Sequence, residues 1–108
     1  MAYFLLQGAY TTESWKSLIN NPENRLKLVR PVVEKMGGKI ESAFFSFGEY
    51  DVVVILNMPD NVSAAAFSLA VAAAGTYKSS KTTPLLTMED GVEAMKKAGK
   101  TGYRPPSK

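Results

Sequence analysis

Lys39-Ile40-Glu41-Ser42-Ala43-Phe44-Phe45-Ser46-Phe47-Gly48-Glu49-Tyr50-Asp51-Val52-Val53-Val54-Ile55-Leu56-Asn57 carries two β-rich runs, residues 39 to 47 and 50 to 57, joined by Gly48-Glu49. Glycine in the first central position is what a type II′ turn prefers, so the stretch predicts a hairpin with a two-residue turn. In that register Phe47 faces Tyr50, Phe45 faces Val52 and Ala43 faces Val54. These six share one sheet face, wholly apolar apart from the Tyr50 phenol. The opposite face pairs Ser46 with Asp51, Phe44 with Val53 and Ser42 with Ile55. The second hairpin strand is therefore apolar on both faces in its middle.

Working outward, residues 3 to 9 suit a first strand, and Thr11 or Thr12 offers an N-cap for a short helix with Trp15, Leu18 and Ile19. Asn20-Asn21-Pro22 breaks that helix. From Glu23, the spacing of Leu26, Val29, Val33 and Met36 predicts a second helical stretch, stopped by Gly37-Gly38, with Pro31 giving a kink or an irregular early part. Beyond the hairpin, Pro59-Asp60 caps a helix from about Asn61 to Ala74, and Gly75 ends it. A fourth strand spans residues 76 to 87. Thr87 and Asp90 form a weak capping box for a last helix with a Met88, Val92, Met95 stripe and Lys96 and Lys97 at its carboxyl end. The order of elements is that of an α+β, ferredoxin-like βαββαβ domain with an extra C-terminal helix. Its expected extent is residues 1–98, followed by a flexible basic tail, 99–108.

Two helices cover one face of a four-stranded sheet, which leaves Phe44, Val53 and Ile55 on the other. A second copy of the chain is the natural cover. Burying roughly 400 Å² of apolar surface contributes about 10 kcal/mol before association costs, at about 25 cal/mol per Å². The Asn61 to Ala74 helix points the same way: Val62, Ala66, Leu69 and Ala73 make one face, while Phe67 and Val71 lie on another. The alternative is that the last helix folds back over Phe67.

Composition narrows the chemistry. The 108 residues suit one domain, and 45% apolar with 21% charged residues is ordinary globular composition. Without cysteine or histidine there is no disulfide, no thiolate or imidazole metal site and no neutral-pH histidine base. No metal and no cofactor is expected. The amino terminus lacks the basic start and apolar run of a signal peptide, and no segment reaches the roughly 20 apolar residues of a membrane span, so a cytoplasmic protein is expected. Net charge is +3, and Lys96, Lys97, Lys100, Arg104 and Lys108 account for much of it. Nucleic acid is an unlikely partner, because Val52-Val53-Val54-Ile55-Leu56 carries no ring on which a base could stack.

Phe47-Gly48-Glu49-Tyr50-Asp51, followed by Val52-Val53-Val54-Ile55, resembles the motif of the GYD-domain family. Tyr10-Thr11, the Pro22 and Arg25 pair, Gly37-Gly38, Pro59-Asp60, the alanine-rich helix and Gly75 extend the resemblance over about residues 3 to 90. It implies a dimeric α+β barrel in which two sheets pack face to face, in a family whose members are mostly of unknown function. The wider superfamily includes cofactor-free monooxygenases, small isomerases, haem proteins and ligand-sensing regulators, so the fold alone selects no reaction. Two departures stand out: Pro31 within the first long helix, and Thr82-Thr83-Pro84-Leu85, which lacks the arginine expected after the fourth strand's threonine. The second counts against an anion-binding role for that strand.

Three readings of function follow. In the first, the protein binds a small apolar or aromatic molecule as a homodimer, with Tyr50 and Asp51 as polar groups. Trp15, Tyr10 and Tyr77 then stack the ligand, Arg25, Lys78 or Lys81 holds a carboxylate, and Phe47 and Gly48 lie beside it. In the second, a cofactor-free monooxygenase- or isomerase-like enzyme uses Asp51 or Tyr50 to move a proton. In the third, the chain is a structural oligomerisation module. Against the functional roles stand local ones: Asp51 bonding turn amides, Tyr50 at a core edge, and the remaining residues as packing or solvated charge.

Overall fold

A computed structural model describes residues 2–106. The chain runs β1 (Ala2–Tyr10), α1 (Thr12–Asn20), α2 (Leu26–Lys35), β2 (Lys39–Phe45), β3 (Val52–Met58), α3 (Asn61–Ala73), β4 (Tyr77–Leu85) and α4 (Met88–Ala98). The four strands form one antiparallel sheet in the order β2-β3-β1-β4. This is the ferredoxin-like α+β arrangement with an added C-terminal helix.

Local chemistry sets most of the helix ends. Thr11 Oγ1 accepts from the Ser14 amide, Asp60 Oδ1 from Ser63 and Thr87 Oγ1 from Asp90, each satisfying a donor that a first turn leaves open. Gly37 at φ 86° and Gly75 at φ 74° supply the left-handed residues that end α2 and α3. The second helix begins at Leu26 rather than Glu23. Its approach is a tighter turn, with the Lys27 amide bonded to the Asn24 carbonyl and Leu28 to Arg25. Pro31 lies within an unbroken helix.

The hairpin register holds from Phe45↔Val52 to Ser42↔Ile55 and departs from expectation at both ends. Residues Phe47 to Tyr50 form an open loop instead of a two-residue turn. The Ser46 amide bonds to the Asp51 carbonyl and the Ser46 hydroxyl to the Tyr50 carbonyl, so the chain closes over a wider span. Gly48 does not adopt the positive φ that a type II′ turn requires. Phe47 is fully exposed and does not pair with Tyr50; both border the reverse side of the sheet with Val53 rather than joining the face of Val52 and Val54. At the other end, a bulge between Ile40 and Ser42 brings Ile40 opposite Leu56, where both are buried.

Phe4, Leu6, Ile40, Leu56 and Met58 from one sheet face pack with Val33 of α2 and with Ala64 and Phe67 of α3. Phe67 therefore belongs to the chain's own core, at 5% exposure, and α4 does not cover it. The reverse sheet face carries Tyr3, Leu5, Val53, Ile55 and Phe44, with no helix packed over it. No residue of α4 is buried, and Met88 and Met95 are 86% and 72% exposed. The helix has no substantial contact with the sheet, and the molecule's longest dimension is 58 Å. Residues 100–106 have no regular structure, and Met1, Ser107 and Lys108, the ends of the expected domain and tail, lie outside the described residues. No helix among those residues is long and apolar enough to cross a membrane.

Candidate functional site

The placement of the helices creates the site. α2 packs on the edge strand β2, while α3 packs on β3 and β4, so the two helices leave a trough over the middle of the sheet. Its volume is about 770 Å³. The floor is formed by Leu6, Gly8, Ala43, Val52, Val54 and Leu56, and the sides by Leu28, Val29 and Val32 of α2 and Phe67 and Val71 of α3. Such a wall receives apolar ligand surface, with a few polar groups left to fix orientation.

One end of the trough is aromatic. Tyr10 and Tyr77 stack with ring centroids 4.8 Å apart, Trp15 meets Tyr10 edge-on at 5.0 Å, and Phe45 lies 6.5 Å from Trp15. A register shift between Ala9 and Tyr10 sets Tyr10 opposite Tyr77. Gly8 permits the stack: a Cβ there would lie 2.7 Å from two carbons of the Tyr77 ring. α1 is tied to the start of β4 by the Ser14 hydroxyl, which donates to the Thr76 carbonyl at 2.8 Å, and by the Thr11 amide on the same oxygen. Burial, reinforced by the neighbouring Tyr10 phenol, pushes the Tyr77 hydroxyl well above the ordinary tyrosine value of 10.0. It stays protonated near neutral pH and acts as a neutral hydrogen-bonding group.

Asp51 lies just before β3. Its Oδ2 accepts from the Tyr10 amide at 2.8 Å and from the Trp15 indole N–H at 3.3 Å. Its own amide donates to the Gly8 carbonyl. Asp51 thus ties the hairpin to the end of β1 and orients Trp15. Asp51 stays opposite Ser46 through the Ser46 amide on its carbonyl, while its carboxylate reaches Tyr10 and Trp15.

The remaining candidates fall in two places. Arg25 and Tyr77 line the trough and Trp15 backs its aromatic end. Phe47, Gly48, Tyr50 and Lys81 instead surround a polar depression of about 440 Å³ on the reverse face, with Gln7, Ser46, Glu49 and Val53. Lys78 lines neither. The sequence reading missed Gly8 and the α2 wall of Leu28 and Val32. A glycine inside a strand is the legible signal for Gly8; Leu28 and Val32 sit off the α2 stripe, and only the separation of α2 from α3 reveals their role. Among the described residues, no three of Asp and Glu converge as a metal site.

The model of the GYD domain matches residues 4–95, and the chain belongs to the GYD-domain family. No curated protein and no solved structure matches it significantly.

Proposed function

We propose that this protein is a homodimer that binds a small apolar or aromatic molecule in the trough between the sheet and helices α2 and α3. The observation that carries the reading is the trough itself: a large apolar concavity with an aromatic end and few polar groups. Binding is favoured over proton-transfer chemistry because Asp51 is engaged by two donors and does not line the trough. The second copy covers the reverse sheet face, where Phe44 is 68% exposed beside Val53 and Ile55.

Fluorescence of Trp15, the sole tryptophan, reports on the site. Titration with naphthalene is expected to change its emission saturably. Ala43→Phe, which fills the floor, is expected to abolish that change while leaving the circular dichroism spectrum intact. A response that persists unaltered in Ala43→Phe would place the ligand elsewhere.

A further inference from the structure

Among the described residues, the wall of the trough carries one cation, Arg25, and one acid, Glu23. The Arg25 Nε is shut off from solvent and has no hydrogen-bond partner. Buried donors are nearly always satisfied, so an orphaned Nε in a side chain that lines the cavity calls for an acceptor that the described residues do not supply. The guanidinium is otherwise held only by Glu23, with Nη1 at 3.6 Å from Oε1 and both side chains more than a third exposed. A long, solvated pair of this kind constrains it little. The Tyr77 phenol feels the Arg25 charge, which opposes the rise caused by burial, so the cation and the stacked phenols belong to one end of the trough. Arg25 also stands at the N-cap of α2, whose first turn holds no acidic residue to offset the positive end of the helix.

We propose that the ligand is a carboxylate: an aromatic or aliphatic acid whose apolar body lies along Val32, Val54 and Val71 and whose carboxyl group is held by the fork of Arg25. This rests on the reading of the trough as a ligand site. A carboxylate fits the Nε and Nη edge of a guanidinium with two parallel charge-assisted bonds, which an amide or alcohol does not reproduce. Nε has already lost its water, so a torsion of the side chain that brings it to the trough exchanges an unpaired donor for a paired one. Glu23 competes for the same cation.

Calorimetric titration with naphthoate and with its neutral isostere naphthamide tests this. Wild-type protein is expected to prefer naphthoate by about tenfold, the scale of one charge-assisted contact. Arg25→Gln is expected to reduce naphthoate to the naphthamide level without altering naphthamide, which also shows that the trough is intact. Glu23→Gln is expected to strengthen naphthoate alone. Equal affinities in the wild type, or a preference that survives Arg25→Gln, overturn the carboxylate assignment and leave the apolar site standing. Failure of both compounds to bind overturns the site as well.

Discussion

Asp51 shows how much one side chain can organise. A single oxygen serves the Tyr10 amide and the Trp15 indole, and Tyr10 is only 2% exposed. Asp51→Ala leaves that amide without an acceptor, and the expected cost is about 1–3 kcal/mol in urea denaturation, since an unsatisfied buried donor forfeits its full desolvation penalty. Asp51→Asn keeps one acceptor oxygen and is expected to lose less. Naphthalene binding by the folded fraction is expected to survive in Asp51→Asn; loss of binding without loss of stability would make Asp51 part of the binding site instead. Tyr77 makes a separate prediction. Its hydroxyl is held protonated by burial, so its contribution to stability is complete below about pH 10, the ordinary tyrosine value, and declines as pH rises through the elevated folded value. Tyr77→Phe is therefore expected to flatten the alkaline arm of the stability curve, which thermal melts across pH 8 to 12 would read. An unchanged alkaline arm would remove Tyr77 as its cause.

At the scale of elements, α4 is the one whose sequence pattern exceeds its packing. Met88, Val92 and Met95 form an apolar stripe, yet no residue of the helix is buried in its own chain. Truncation before Thr87 is expected to leave the thermal midpoint of the sheet domain within a few degrees and to weaken self-association, measured by sedimentation. A collapse of the domain would show that α4 supports its own chain after all. Thr87→Ala should cost the helix about 1 kcal/mol by removing its N-cap. The elements were largely legible because their ends are local chemistry: Thr11, Asp60 and Thr87 accept from amides three residues on, and Gly37 and Gly75 take a conformation that few other residues adopt. What escaped depends on distant partners. The turn at Gly48 is set by how Ser46 bonds Asp51 and Tyr50, and the bulge beside Ile40 by the demand that Ile40 join Leu56 in the core. The candidate site divides in the same way: Arg25, just before α2, and Tyr77, at the start of β4, line one cavity between the elements, whereas Lys81 and Tyr50 stand on the reverse of the sheet. No spacing along the chain encodes that separation.

For the whole molecule, the two sheet faces differ. One carries the core and the trough, where Phe67 anchors α3; Phe67→Ala is expected to cost about 3–5 kcal/mol, as for other buried phenylalanines. The other presents Leu5, Val53, Ile55 and Phe44, the face proposed to meet a second copy. A charge at its centre, as in Ile55→Lys, is expected to separate the subunits with a smaller effect on the trough, because Ile55 does not line it. Native mass spectrometry of the wild-type chain in the presence of naphthoate reads the proposed dimer and its ligand in one experiment. Ions at twice the 11.7 kDa chain mass carrying one or two naphthoate molecules are expected. A monomer, or a dimer that stays bare up to the solubility limit of the acid, would contradict the proposal.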